Sequence, residues 1–458
     1  MKLTLGYVRD KTGGNLLSGD PGQMIKGAAI DSRLLTEGNI FFALPGQRVD
    51  GHNFLEEAFL KGAAAAVISK DVEVSGRALL KVADAERALQ DLAKAYRREF
   101  SIPVIAVTGS VGKTTTKEIL SWCLEAAIPN LKNKGNYNNE LGVPLTLLQL
   151  EESHQAAVLE MAMRRTGEIS RLCETALPTH AIITNIAGVH LETMGTLENI
   201  ARAKCEVLGN IPGEGFALMN GDNDLLRKTA ECFDVDKYYF GYGDNCHIRI
   251  MDCRLSDSGM WLETRIFDYT DVFFFPLPVM GWAGNIAAAA GMAQMLGVPA
   301  PLIKERLKNF DTLPNRLNVI TLSAGGRIIN DAYNANPLSV ISALEVGNIF
   351  KGQSDYVAVL GDMLELGSER IAGHRQVGRA AFEKKVDRLV LIGTLAEEVK
   401  TGAIQAGMSM DKIKLFSNRE DGLDYLRRIL TGRETILFKA SRALQFEKII
   451  DEVVKDFI

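Results

Sequence analysis

Short β-branched apolar runs, each closed by a glycine- or asparagine-rich loop and followed by helical spacing, recur along the chain. The sharpest case is residues 102–125, IPVIAVTGSVGKTTTKEILSWCLE. Val104, Ile105, Ala106 and Val107 read as a buried strand, and TGSVGKTTT interrupts it. From Lys117 onward apolar residues fall at Ile119, Leu120 and Leu124, the spacing of one helix face. The order strand, glycine loop, helix is the one that phosphate chemistry uses. Glycines let backbone N–H groups close around phosphate oxygens, and the helix N-terminus adds partial positive charge.

The same pattern organises the rest of the chain. The first hundred residues hold NIFFAL (39–44), AAAAVIS (63–69) and a helical pattern over 85–100, whose charges lie mostly opposite Leu89, Leu92 and Tyr96. This predicts a small α/β domain over 1–100. After the glycine loop come AAVLEM (156–161), HAIITNI (180–186), a helix over 197–208 and GFALMN (215–220). Buried strands separated by helices predict a parallel sheet covered on both faces, in a central domain over 101–314. Residues 238–275 alternate instead, as an antiparallel edge or insertion would. From Arg327 a new series begins: RIINDAY, YVAVLGDM (356–363), RLVLIG (388–393), KLFS (414–417) and TILFKAS (435–441), each with a helical pattern after it. These five strands predict a doubly wound, Rossmann-like domain over 315–458 without a GxGxxG dinucleotide turn. The fold class is therefore α/β in three domains.

Composition narrows the function. A chain of 458 residues, 47% apolar, has material for about three ordinary domains. The net charge of −5 is mildly acidic and both signs are interspersed, so a nucleic-acid partner is not expected. The six cysteines show no CxxC and no zinc spacing, which fits reduced thiols in a cytoplasmic protein. MKLTLGYVRDKTGG has no apolar run of the secretion-signal kind. Residues 272–303 carry no charge, but Pro276, Pro278, Gly281, Gly284 and Asn285 divide them. A strand, a turn and a buried alanine-rich helix are expected there, not a membrane span.

The candidate chemistry starts at the glycine loop. Thr108, Gly109, Ser110, Val111, Gly112, Lys113, Thr114 and Thr115 form a shortened P-loop, with Val107 where the general pattern has its first glycine. Lys113 would reach the β- and γ-phosphates of ATP, and the Thr114 hydroxyl would ligate Mg²⁺. Glu160, at the tip of the run AAVLE, is placed to supply a carboxylate to the same ion; its alternative is a solvated strand-end glutamate. His190 lies in the turn AGVHLE and is open between a hydrogen-bonded turn residue and a site residue. Lys204 reads by spacing as an ordinary helical lysine. Asn136, Asn138 and Asn139 sit in an amide-rich loop that suits either a solvated turn or paired donors to a substrate oxygen. NDAYNANP (330–337) repeats that character at a strand end.

The segments GSVGKTTTKE, NKGNYNNELGVP, EMAMRRTGEI, NIAGVHLETMGTLENIARAKCE, PNRL, NDAYNANP and LGDMLELG together resemble the Mur ligases over nearly the whole chain. DSRLLTEGNIFFALPGQRVDGHNF is similar to that family's UDP-binding region. YNANP points to the branch that adds a dipeptide, because the diamino-acid-adding branch carries a histidine there. The resemblance implies an ATP-dependent amide ligase that joins D-alanyl-D-alanine to UDP-N-acetylmuramoyl-tripeptide in the cytoplasm, expected as a monomer. It implies Ser32, Arg33, Arg48 and His52 for the UDP-linked substrate, with Asn138 and Asn139 also facing substrate. ATP and magnesium would be held through Lys113, Thr114, Glu160 and His190, and Lys204 would be carbamylated to help hold a second metal. Asn285, Arg316, Asp331, Tyr333, Asn334 and Asn336 would complete the nucleotide site. Asp362 and Leu366 would help to place the dipeptide. The family's adenine pattern is carried here by Asn285 alone, and Ala162 and Ala440 stand where glycine is usual.

Three rivals remain from the residues themselves: an amide ligase of the same build with another acceptor, a P-loop switch or motor, and a binding protein without turnover. Two flanking domains suit two substrates better than a switch. The presence of Lys113, Thr114 and Glu160 argues against lost turnover.

Overall fold

The computed structural model describes residues 3–46, 49–74, 76–188, 191–311, 315–364 and 366–458, with the side chains of Leu191 and Glu192 set aside. Contacts divide the chain into two compact units, one of Met1–Ile186, Glu198–Ile248 and Ala288–Ile303, the other of Ala187–Leu197, Arg249–Ala287 and Lys304–Ile458.

In the first unit an N-terminal sheet contains Asn15–Ser18 (β1), Gly27–Ala29 (β2), Asn39–Phe42 (β3), Ala65–Ile68 (β4) and Leu79–Lys81 (β5), in the order β1-β5-β4-β3-β2. β1 runs antiparallel to β5 and the other pairs are parallel. The helix Ala85–Arg97 (α1) follows, with Asp84 accepting the N–H groups of Glu86 and Arg87 as its cap. Leu89, Leu92, Ala93 and Tyr96 form its buried stripe, as their spacing predicts. The Tyr96 hydroxyl donates to Leu150 O at 2.8 Å, and the buried Arg97 guanidinium donates to the carbonyls of Ala176, Phe100 and Ile102. These four contacts to backbone carbonyls fasten α1 to the chain that enters the central sheet.

That sheet holds Val104–Thr108 (β6), Asn130–Lys132 (β7), Ala156–Glu160 (β8), His180–Ile183 (β9), Phe216–Asn220 (β10) and Asp236–Gly241 (β11). The order is β11-β10-β9-β6-β8-β7, and every one of these pairs is parallel. All five residues of β6 and of β8 are buried, and each large apolar side chain so placed contributes ~1.5–3 kcal/mol. β6 is the first strand and lies inside the sheet, so the chain departs from it toward both edges. The crevice beyond its carboxyl end is where an open α/β sheet receives a ligand. Register brings Glu160 beside Val107 and Ile183 beside Thr108, aligning three strand tips at one level.

Ile248–Ser256 (β12), Gly259–Ile266 (β13) and Tyr269–Phe275 (β14), which belong to the second unit from Arg249 onward, form a meander of consecutive neighbours, with β13 and β14 antiparallel. The charge-free stretch then forms a short 3-10 turn and the buried alanine-rich helix Ala283–Met295. Among the described residues no helix is long and apolar enough to cross a membrane. The C-terminal sheet contains Asn318–Thr321 (β15), Arg327–Asn330 (β16), Tyr356–Gly361 (β17), Arg388–Ile392 (β18), Ile413–Phe416 (β19) and Thr435–Lys439 (β20) in the order β15-β16-β20-β17-β18-β19. β15 is an antiparallel edge strand and the rest are parallel. Its core packs Ile328, Val357, Val359, Val390, Ile436 and Phe438. The five strands expected from the sequence are present; β15 is an addition.

Candidate active site

The glycine loop leaves β6 at Thr108 and re-enters regular structure at Lys113, the first residue of the helix Lys113–Leu124 (α2). Gly109 has φ +142° and Gly112 φ +86°, conformations that L side chains avoid. A Cβ on Gly109 would lie 2.0 Å from Thr184 Oγ1, so the loop passes against the exit of β9 where only glycine fits. Three hydrogen bonds fix it there: Ser110 N–H to Asn185 O at 3.0 Å, Val111 N–H to Asn185 Oδ1 at 2.9 Å, and the Thr184 hydroxyl to Val111 O at 2.6 Å. Lys113 Nζ donates to the carbonyls of Gly109 and Ser110 at 2.8 and 3.2 Å. The ammonium thus folds over the concave side of the loop. The Thr108 hydroxyl oxygen is buried and has no hydrogen-bond partner among the described residues.

Beside the loop stands the buried carboxylate of Glu160. Thr114 Oγ1 donates to Glu160 Oε2 at 2.6 Å and Asn138 Nδ2 donates to Glu160 Oε1 at 2.7 Å. A hydroxyl and a carboxylate at this separation form a hard-oxygen donor set that suits Mg²⁺. Lys204 is 1% exposed on the helix Leu197–Cys205 (α3), and burial, with the Lys113 ammonium as a further cause, holds its amine well below the ordinary lysine range. His190 lies outside the described residues.

In the second unit, Asp331 follows β16 and Lys439 ends β20. Their buried side chains form an ion pair, and Lys439 Nζ also donates to Asn334 O at 3.1 Å. Burial pushes the Asp331 carboxyl up and the Lys439 ammonium down, each toward its neutral form, while their mutual attraction opposes both shifts. The Arg316 guanidinium lies 4.1 Å from the centroid of the Tyr333 ring and that of Arg442 5.0 Å, so two cations meet at one aromatic side chain.

Models of three domains cover most of the chain: the Mur ligase family catalytic domain at residues 24–107, the Mur ligase middle domain at 107–293 and the Mur ligase glutamate ligase domain at 315–442. A UDP-N-acetylmuramoyl-tripeptide–D-alanyl-D-alanine ligase of Bacillus subtilis is 34% identical over 94% of this chain and 94% of its own. The chain belongs to the Mur ligase family. An Escherichia coli ligase of the same description is 31% identical over 98% of each chain. The crystal structure of MurF from Acinetobacter baumannii superposes with TM-score 0.89 at 30% identity over 99% of each chain. That of MurF ligase from Thermotoga maritima in complex with ADP gives 0.81 at 30% identity, over 94% of this chain and 97% of its own.

Several residues singled out from the sequence have a visible structural task in this Mur ligase. Asn139 Oδ1 accepts Gly142 N–H, and Asn336 caps the helix Pro337–Lys351 in a capping box with Ser339. Asp362 accepts the N–H groups of Thr394 and Leu395 and the Thr394 hydroxyl at 2.8–2.9 Å. Leu366 is buried and Asn285 is half-buried on its helix. In the N-terminal sheet region His52 is buried, with Nδ1 2.6 Å from Asp50 Oδ1 and Nε2 accepting Ser69 N–H at 3.0 Å. Arg33 pairs with Asp31 and its side chain is 81% exposed, while Ser32 is buried and its carbonyl accepts Lys61 Nζ. Arg48 lies outside the described residues. Residues that sequence reasoning left without a role include Thr184 and Asn185, which hold the loop, Asn133, which holds Glu160, and Lys439 and Arg442 around Asp331 and Tyr333. Asn133 directly follows β7 and Asn185 lies two residues after β9, and that position beyond a strand tip was their available signal.

Proposed function

We propose that this Mur ligase joins D-alanyl-D-alanine to UDP-N-acetylmuramoyl-tripeptide at the expense of ATP, the reaction named for relatives that match 94–98% of it. The observation that carries the proposal is the conjunction of a glycine loop closed by Lys113 with the Thr114 and Glu160 oxygens 2.6 Å apart at its edge. A carboxylate is a poor acyl donor. Transfer of the γ-phosphoryl group to the terminal carboxylate of the tripeptide forms an acyl phosphate and ADP. The dipeptide amine then attacks the acyl carbon, inorganic phosphate leaves, one proton is released and an amide remains. Lys113 neutralises charge on the transferring group, and the loop N–H groups orient the phosphates.

Thr114 and Glu160 would hold Mg²⁺, which supplies charge neutralisation between the β- and γ-phosphates. The depressed pKa of Lys204 supports its carbamylation, since the neutral amine is the form that adds to CO₂. Thr108, Ser110, Val111, Gly112 and Thr115 would line the phosphates, and His190, Asn285, Arg316, Asp331, Tyr333 and Asn334 would complete the ATP and metal set. Asn336 would join the ATP set through the helix start it caps. Ser32, Arg33, Arg48, His52, Asn138, Asn139, Asp362 and Leu366 are assigned to the two acceptor substrates, Asn139 and Asp362 acting through the turns they fix. The domain division 1–100, 101–314 and 315–458 is supported by separate sheets before and after the central one in sequence. ATP and UDP-linked precursors are cytoplasmic metabolites, so the cytoplasm is the site of action, and a monomer holds every assigned residue.

The test is phosphate release with substrates omitted in turn. Release that requires both UDP-N-acetylmuramoyl-tripeptide and D-alanyl-D-alanine supports the proposal. Steady ATP hydrolysis without them overturns it in favour of a switch.

A further inference from the structure

β8 loses its outer neighbour before it ends. Its partner β7 pairs Ala156, Ala157 and Val158 with Asn130, Leu131 and Lys132, and stops there. Two residues further on, Glu160 therefore has backbone groups at an unpaired edge, which elsewhere are satisfied by water or fray. Here the side chain of Asn133 takes the place of the missing strand. Its Oδ1 accepts Glu160 N–H at 2.9 Å and its Nδ2 donates to Glu160 O at 2.9 Å and to Tyr137 O at 2.8 Å. One carboxamide thus supplies both the acceptor and the donor of a strand backbone.

Asn133 is itself anchored to the helix that begins at the phosphate loop. Lys117, fully buried on α2, donates from Nζ to Asn133 O at 2.6 Å. Its ammonium is paired with Glu118 at 2.9 Å, and Glu118 also takes Lys132 at 2.7 Å. Burial raises the Glu118 carboxyl, but the two ammonium groups outweigh it and hold it below the usual range, so Glu118 stays ionised. A dehydrated lysine stem and two ion pairs are spent on fixing one backbone carbonyl. Lys117 lies one helical turn after Thr114, so this linkage sets the Thr114 hydroxyl and the Glu160 carboxylate in mutual register.

We propose that Asn133, held by Lys117, is a positioning residue for the Glu160 carboxylate and thereby for magnesium binding beside the nucleotide. The proposal rests on the assignment of Glu160 as a metal ligand. Groups that orient a ligand without touching the metal are worth about 10–100-fold in metal affinity.

The test is calorimetric titration of the full-length enzyme with ADP in the presence and absence of Mg²⁺, which needs no turnover. The quantity read is the gain in ADP affinity that Mg²⁺ confers. Asn133→Ala is expected to reduce that gain about tenfold while metal-free ADP binds as in the wild type, whereas a merely structural edge cap would lower the melting temperature and leave the gain intact. Lys117→Met keeps the Asn133 carboxamide and is expected to reduce the gain in the same direction, which serves if Asn133→Ala does not fold. A wild-type gain in either folded variant overturns the positioning role. Glu160→Gln separates the two layers: a wild-type gain there overturns the ligand assignment and the proposal with it. Loss of the gain in Glu160→Gln with its retention in Asn133→Ala overturns the positioning role alone.

Discussion

Replacing Gly109 with alanine tests the phosphate loop at its narrowest point. The backbone there has φ +142°, and the added Cβ would meet Thr184 Oγ1 at 2.0 Å, Thr184 N at 3.0 Å and Asn185 N at 3.1 Å. Conformational strain at such a residue costs ~1–3 kcal/mol. The collision displaces the segment that makes three hydrogen bonds to Ser110 and Val111, each worth ~0.5–1.5 kcal/mol. The sum, ~2.5–7.5 kcal/mol, is comparable with the whole stability of a domain, so the loop is expected to detach from Thr184 and Asn185 before the sheet unfolds. Gly109→Ala should therefore lower the melting temperature and weaken ADP binding by about tenfold or more, since 1.4 kcal/mol of lost loop order already corresponds to that factor. Gly297→Ala is the control. Its φ is +93° but nothing lies within 4 Å of the added methyl, so it should carry strain alone and bind ADP normally. Wild-type ADP affinity and melting temperature in Gly109→Ala would refute the close approach of loop and strand exit on which the site is built.

Other perturbations separate chemistry from scaffold. Lys113→Met should lower ligase turnover by about 10²-fold or more in a phosphate-release assay, and unchanged turnover would remove the charge-neutralising role. Lys204→Ala should lose activity that short carboxylic acids partly restore; activity equal to wild type without them would contradict carbamylation. His374 is buried, with Nδ1 2.6 Å from Arg370 O and Nε2 accepting Met363 N–H at 3.0 Å, so the neutral ring fits and burial lowers its pKa from the ordinary 6.5. Between its folded value and 6.5 the unfolded chain binds a proton that the folded chain does not, so stability is present above that window and lost as pH falls through it. His374→Gln should flatten the slope of melting temperature against pH below about pH 6.5, and an unaltered slope would contradict the assignment.

The parts of this molecule that were legible from sequence are those whose signal is local. β6, its glycine loop and α2 are contiguous, and their apolar period changes from strand to helix within a dozen residues. Of the C-terminal strands expected from RIINDAY onward, Tyr356–Gly361 and Arg388–Ile392 carry four or more buried apolar residues each. β15 did not announce itself: Asn318–Thr321 is short, half-buried and antiparallel at an edge, so it needs no apolar run. β7 has three residues and is recognisable only by what it pairs with. In the site, neither residue type nor family resemblance separated two uses of asparagine and aspartate. These side chains cap helices and close turns as readily as they contact ligands, and Asn139, Asn336 and Asp362 visibly do the former. Asn133 and Asn185 act across 27 and 74 positions of sequence, a separation that spacing rules do not reach.

The central claim is that triphosphate held by the loop at Lys113 converts a carboxylate into an acyl phosphate. Tripeptide labelled with ¹⁸O in its terminal carboxylate tests this most directly, because the oxygen that accepts the phosphoryl group must leave with it. One labelled oxygen in each inorganic phosphate released, matched by one D-alanyl-D-alanine incorporated, is the predicted result. Unlabelled phosphate accompanying amide formation would contradict the account.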